Sequence, residues 1–357
     1  MKFAKEDITV NQITRQDLNN LEELFEKEFG EEINMDIVKA RIRKLRQFYY
    51  ILKLLRYVSP LVRELWRIFI IKVKGSFAGF IQLSYRGKDK LHLDYIAIAK
   101  EYRGQGIGRY VLQRLLRDFA DNEGLMLILE VRLDNPAYLL YQELGFVAKI
   151  QIINYERKFF EYDSKLSNSS IVLELLKEND RLTVYDLYRS NVPDNLANIV
   201  LESWEVFRLN MFQRNVLKLK SLLFKNKMTE YVVKVNHKII ASINIRSYEK
   251  AGYHALTIYM HPMYELLRKQ VLNSVIVILA KQYHQGVIGT SIYDDLISKQ
   301  HDLNDTGFIK QEAYFFMYRK PKATTISRRF LFKKACFQTK HSINLRTFKK
   351  IIKKCGK

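Results

Sequence analysis

Apolar residues recur along the chain in two rhythms, every third or fourth position and every second position, and the changes between them mark out its elements. ITVNQ reads as a first strand. DLNNLEELFEKEF then carries Leu18, Leu21, Leu24, Phe25 and Phe29 at helical spacing. Residues 35–57 continue as a basic amphipathic helix that stops near Ser59-Pro60, where proline disfavours continuation. RELWRIFIIKVKG passes into an apolar strand, SFAGFIQLSYRG is its hairpin partner, and KLHLDYIAIA is the next strand. Residues 108–120 return to the helical period through Val111, Leu112, Leu115, Leu116 and Phe119. LMLILEV is a buried strand, PAYLLYQELG a short helix and FVAKIQIINY a closing strand.

After the turn-rich DSKLSNSS the same order is expected again. IVLEL reads as a strand, RLTVYDLYRS and NLANIVLESWEVFRLN as two helices, and TEYVVKVNHKIIASINIRS as a hairpin. HALTIYM, YELLRKQVLNSVIVILAKQY, VIGTSIY, YDDLISKQHDL and FIKQEAYFFMYRK follow as strand, helix, strand, helix, strand. Gly145-Phe146 and Gly307-Phe308 hold comparable places in the two runs. The pattern predicts an α/β (α+β) protein in two tandem units, residues 1–160 and 161–320, followed by a tail, 321–357. An unrelated α/β partner domain is the alternative for the second unit.

Composition narrows the class. With 48% hydrophobic and 13% aromatic residues, the chain can bury a sizeable core. No apolar run of membrane-spanning length appears, and MKFAKEDITVNQ lacks a signal-type apolar segment. Cys336 and Cys355 suffice neither for a disulfide framework nor for a metal site. A cytoplasmic protein without a metal is the simple expectation. The net charge of +22 is concentrated: residues 321–357 hold 12 Lys or Arg and no acid, and residues 36–74 hold 11 against Asp36 and Glu64. Such segments suit an anionic membrane surface, an acidic protein or, with no recognition module in sight, nucleic acid.

Only 14 glycines occur in the chain, yet three of them fall in RGQGIGRY, residues 103–110. Glycine lets backbone approach a ligand and adopt unusual dihedrals. The helix that follows offers unpaired amides and a positive dipole end, and Arg103 and Arg109 add charge, so a pyrophosphate could be cradled here. A P-loop would need Gly-Lys-Ser/Thr, and a dinucleotide fingerprint would open a βαβ unit; neither is present. A tight strand–helix turn explains the glycines equally well by themselves.

The neighbouring residues extend the pattern. Arg103-Gly104-Gln105-Gly106-Ile107-Gly108 resembles the acyl-CoA loop of the GCN5-related N-acetyltransferase (GNAT) superfamily. LEVRLDNPAYLLYQELGF, residues 129–146, resembles the ribosomal-protein and N-terminal acetyltransferase branch. The resemblance covers roughly residues 8–155. It implies an acyl-CoA N-acyltransferase fold with a splayed, mostly antiparallel sheet, and direct acyl transfer from acetyl-CoA or another acyl-CoA to the amine of a small molecule, peptide or protein. The implied cofactor residues are Arg103, Gly104, Gln105, Gly106, Ile107, Gly108 and Arg109 around the pyrophosphate, with Ile96, Ala97 and Ile98 on the splayed strand beside pantetheine.

The implied catalytic residues are Glu130 and Tyr141. Acyl transfer to nitrogen needs an uncharged amine and profits from an acid at the departing sulfur. Glu130, among apolar residues of LILEV, is expected to have its pKa raised by burial and to act as base; an end-of-strand acid paired with Arg132 is the plainer option. Tyr141, in Leu140-Tyr141-Gln142-Glu143-Leu144-Gly145-Phe146, would protonate the sulfur, or would be one core tyrosine among 22. The family asparagine three residues before Ala137 is replaced by Asp134, leaving Asn135 one place later to serve near pantetheine. His92 and Asp94 are further polar candidates toward the acceptor on the preceding strand. In the second unit LTIYMHPMYELLRKQVL stands where the first has IAIAKEYRGQGIGRYVL, so that copy is expected to be degenerate. A noncatalytic acyl-CoA-binding or membrane-associated module is the rival reading.

Overall fold

A computed structural model of the chain describes residues 4–30, 35–55, 67–87, 89–165, 171–202, 204–208 and 226–322. Part of the basic stretch 36–74 and nearly all of the tail 321–357, including both cysteines, lie outside the described residues.

The first run builds β1 (Ile8–Gln12), α1 (Leu18–Phe29), α2 (Met35–Gln47), α3 (Tyr49–Leu55), β2 (Ile68–Val73), β3 (Ser76–Arg86) and β4 (Lys90–Ile98). It continues with α4 (Ile107–Leu115), β5 (Met126–Arg132), α5 (Ala137–Glu143) and β6 (Val147–Phe160). The alternation of the strands sorts their side chains to two faces. Ile70, Phe80 and Ala97 pack with Leu21, Phe25, Ile42 and Leu52 of α1–α3. Ile71, Ile81, Leu91, Leu93, Leu127 and Leu129 pack with Val111, Leu112 and Leu115 of α4. Between β3 and β4 the backbones approach closely at Gly79, where a Cβ would stand 2.3 Å from the Ala97 carbonyl oxygen.

The second run gives β7 (Glu174–Leu175), α6 (Arg181–Asn191), α7 (Asp194–Val200), α8 (Trp204–Phe207), β8 (Lys227–Val235), β9 (Lys238–Tyr248) and β10 (Tyr253–Met260). It ends with α9 (Arg268–Tyr283), β11 (Gln285–Tyr293), α10 (Ile297–Asp305) and β12 (Ile309–Arg319). Several expected elements are shorter than their sequence signals. The helix expected over 35–57 is divided at Phe48, and the one expected over 108–120 finishes as a π-helical stretch, Leu116–Asp121. IVLEL pairs only through Glu174–Leu175. NLANIVLESWEVFRLN is interrupted after Val200 because tyrosines of α6 take the bared backbone. Tyr188 Oη donates to Val200 O (3.0 Å) and accepts from the Glu202 amide (3.1 Å), while Tyr185 Oη donates to Glu202 O (3.0 Å).

All the strands join one sheet in the order β1-β2-β3-β4-β5-β12-β6-β11-β10-β9-β8-β7. It is antiparallel except where β4 meets β5 and β10 meets β11. The last strands of the two runs are exchanged: β12 lies against β5, and β6 lies between β12 and β11. Each exchanged strand carries an arginine that reaches the other run. Arg319 of β12 is buried against Asp121 (3.2 Å), and Arg157 of β6 donates to the Thr306 carbonyl (2.7 Å) beside its ion pair with Asp163 (2.9 Å). Leu196 and Ile199 of α7 then cover Ile128 of β5 and Phe316 of β12, so a helix of the second run roofs the first run's sheet.

Candidate active site

The sheet opens beside the glycine loop. β4 and β5 pair in parallel only from Lys90–Leu93 to Met126–Leu129. Against β3, Leu93 faces Leu83 and Tyr95 faces Gln82, which leaves Asp94 as the extra residue of a bulge. Beyond it Asp94–Ile98 follow β3 and leave β5, so the edge of β4 turned toward β5 has backbone groups that the sheet does not satisfy. Ile96 and Ile98 pack toward α4, and Ala97 packs toward α1.

The loop that follows β4 has Gly104 at φ +69° and Gly106 at φ +79°, conformations that L side chains seldom take. α4 starts directly after Gly106, and the first backbone bond of its opening turn runs from the Tyr110 amide to Gly106 O (3.0 Å). The amides before Tyr110 thus stand at the unpaired positive end of the helix. Space lies in front of them: a Cβ at Gly104 would find nothing within 4 Å, and one at Gly108 would touch only Ile98 Cγ1, at 3.7 Å. Gln105 donates Nε2 to Glu101 O (2.9 Å) and keeps a buried Oε1 with no hydrogen-bond partner among the described residues. Arg103 is tied to Ile98 O (2.8 Å) and ion-paired with Glu28, and Arg109 is ion-paired with Glu143. The open turn with its unpaired amides fits a bound diphosphate, and the parted edge of β4 fits pantetheine.

On the α1 face, His92 stands between two carboxylates. Its Nδ1 is 2.6 Å from Asp94 Oδ1, and its Nε2 is 3.5 Å from Glu130 Oε2. Asp94 also accepts from Ser84 Oγ (2.7 Å). Burial opposes a charge on His92, yet Asp94 and Glu130 overcome it and push the imidazole up to about 9. The expectation of a raised pKa for Glu130 is corrected here. Burial does act to raise it, but the His92 imidazole and the Arg86 charge outweigh burial and hold the carboxyl below its usual value. Its side chain is 42% exposed, and Arg132 pairs instead with Asp134 (2.9 Å) and Glu312 (3.4 Å). The alternation of His92 with Asp94 was the one local sign of this cluster; its closure on Glu130 comes from the β4–β5 register.

Tyr141 lies on the other face of β5, buried with Leu129, Val131 and Phe146. Burial raises its phenol far above the usual value, and among the described residues its oxygen has no hydrogen-bond partner. Glu130 and Tyr141 therefore lie on opposite faces of β5. Asn135 Oδ1 accepts from the Ala137 amide (2.9 Å) at the start of α5, whereas Asp134 is held by Arg132 through Oδ1 (3.0 Å) and Oδ2 (2.9 Å).

Residues 21–146 match the family model described as the Acetyltransferase (GNAT) family. Over 90 residues the chain is 36% identical to the N-alpha-acetyltransferase RimI of Mycobacterium tuberculosis; the match covers 24% of this chain and 52% of that protein, about half the relative's length. A GCN5-related N-acetyltransferase from Sphaerobacter thermophilus superposes with a TM-score of 0.56 at 10% identity, over 89% of this chain and 97% of its own. A glucosamine N-acetyltransferase region of a fungal multi-domain β-N-acetylglucosaminidase gives 0.57 at 12% identity, over 87% of this chain and 38% of that one. These structural likenesses extend through both runs and show the acyl-CoA N-acyltransferase fold. The glycine loop and the parted strands fall within residues 21–146, the stretch that matches the GNAT family model, and a RimI-like stretch lies in the N-terminal half of the chain.

Proposed function

We propose that this protein is a coenzyme-A-dependent N-acyltransferase, specifically an N-acetyltransferase, that passes an acyl group directly to an amine. The observation that carries the reading is the opening between β4 and β5, with the glycine turn at one end and a carboxylate–imidazole cluster on the acceptor face. The amides of residues 104–108 would grip the diphosphate, Arg103 and Arg109 would add charge at its rim, and the unsatisfied backbone of Ile96–Ile98 would pair with pantetheine. Asn135, whose Oδ1 is taken by Ala137, offers its Nδ2 to a pantetheine carbonyl. When bound, acetyl-CoA supplies an activated acyl group.

Glu130, ionised through the physiological range, draws in the acceptor's ammonium and takes its proton as the amine becomes nucleophilic. His92 fixes that carboxylate beside the opening and offsets its charge. Tyr141 keeps its proton at any physiological pH and is the group to donate it to the departing sulfur. We read residues 161–320 as a second, degenerate unit. Two features support this: strands β7–β12 mirror β1–β6 in sheet order, and residues Pro262–Leu267 form a 3-10 helix bearing Glu265 where the first unit has its glycine turn. No helix of the described residues is long and apolar enough to cross a membrane. We place the enzyme in the cytoplasm, with residues 36–74 and 321–357 available to an anionic membrane surface.

The test is calorimetric titration with acetyl-CoA, followed by mass-spectrometric screening of peptides, polyamines and aminosugars for a 42 Da gain. Saturable binding with an acetylated product supports the proposal. Binding without any product would leave the noncatalytic acyl-CoA module; no binding would remove both.

A further inference from the structure

α2 carries five cations, and they divide by the side on which they find partners. Lys39 and Arg46 are neutralised by Glu26 (2.5 Å) and Glu22 (2.9 Å) of α1. Arg41, Arg43 and Lys44 instead line a cavity of about 190 Å³ between α2 and the connection from β9 to β10, where Lys250 and Tyr248 form the opposite wall. Among the described residues none of these four cations has a carboxylate within 4 Å, although Asp36 also contributes to the lining. Ile37, Ala40 and Ala251 supply apolar surface.

Four cationic residues thus line one hollow, Lys44 also reaching Gln47 Oε1 (3.5 Å), and an anion bound there would offset their mutual repulsion. Two guanidinium forks and two ammonium groups match the several acceptor oxygens of a phosphoryl group better than the single plane of a carboxylate. We propose that this cavity binds a phosphate-bearing ligand, with its phosphoryl oxygens on Arg41, Arg43, Lys44 and Lys250 and a small apolar part against Ile37 and Ala40. The walls come from the first and second runs of the chain, so an occupant ties the acceptor-side helices to the second run. The inference rests on α2 and Lys250 and is independent of acetyl transfer.

The test is calorimetric titration of the full-length chain with inorganic pyrophosphate, repeated with excess coenzyme A, because the glycine loop would also accept a diphosphate. The variants are Arg43→Gln, Lys250→Gln and the double substitution, with Lys238→Gln as a control of equal charge change. Near-surface positions should leave the circular dichroism and Tm unaltered. The expected result is a saturable, salt-sensitive site whose affinity falls about tenfold in each single variant and disappears in the double, with the control unaffected. In parallel, sedimentation with phosphatidylglycerol or phosphatidylcholine vesicles separates the sources. Pelleting by the anionic vesicles alone, abolished in the double variant, assigns the phosphoryl group to a lipid headgroup. The proposal is overturned if neither pyrophosphate nor anionic vesicles bind, or if binding is indifferent to Arg43 and Lys250.

Discussion

His92 and Glu130 meet across the last paired residues of β4 and β5, with Nε2 3.5 Å from Oε2, at the place where the two strands part. The contact makes a buried imidazole the electrostatic partner of the proposed base. Because the His92 pKa is raised from 6.5 to about 9, its contribution to stability is complete below pH 6.5 and is lost as pH rises through about 9. The lowered Glu130 pKa acts in the opposite sense, with stability present above its ordinary value of 4.5 and lost as pH falls through the folded value below it. Urea unfolding between pH 6 and 10 should show stability declining by on the order of 2–3 kcal/mol in the native chain. His92→Gln should flatten that decline and move the acid limb of kcat/KM upward. An unchanged pH profile of both quantities would separate His92 from Glu130.

Tyr141→Phe removes the hydroxyl of a buried tyrosine that makes no hydrogen bond among the described residues, so stability should shift by less than about 1 kcal/mol. Turnover should fall by roughly 10²-fold with the affinity for coenzyme A retained. Equal losses in turnover and affinity would show that the ring, and not its proton, is what matters.

Two glycines near the site should respond unequally to alanine. At Gly104 the added Cβ meets nothing within 4 Å, and the cost is the φ of +69° alone, about 1 kcal/mol. At Gly79 the added Cβ would come 2.3 Å from the Ala97 carbonyl, and the β3–β4 pair must move apart at a cost of about 3 kcal/mol. Thermal melts should rank Gly79→Ala well below Gly104→Ala. Similar Tm values would contradict the close β3–β4 approach.

The strand exchange predicts how the chain unfolds. A fragment ending at residue 160 would carry β6 without either of its neighbours, β12 and β11, and would leave β5 as an exposed edge. Such a fragment should aggregate or fail to fold, and co-expression with residues 161–357 should restore it. The whole chain should melt in one transition. Two calorimetric transitions would indicate that the two runs are independently stable.

The parts of the site written in the sequence are those that depend on neighbours along the chain. The two-residue alternation of KLHLDYIAIA, the helical period after Gly106 and the glycines at 104 and 106 encode a strand, a turn with left-handed backbone and a helix N-terminus, because dihedral preference and side-chain spacing act within a few residues. Leu93 and Leu129, by contrast, give no local sign that β4 and β5 part just beyond them. Nor does FIKQEAYFFMYRK show that it will lie between β5 and β6, since many strands present equivalent apolar faces and the choice among them is made by the whole sheet. The break at Glu202 arises from Tyr185 and Tyr188 competing for its backbone, and the downward shift of Glu130 arises from His92 across a strand pair. Local sequence thus determined the elements and the loop chemistry. Pairings between distant segments decided strand order, the opening and the charge state of its carboxylate, because those depend on which surfaces are brought together after the elements exist.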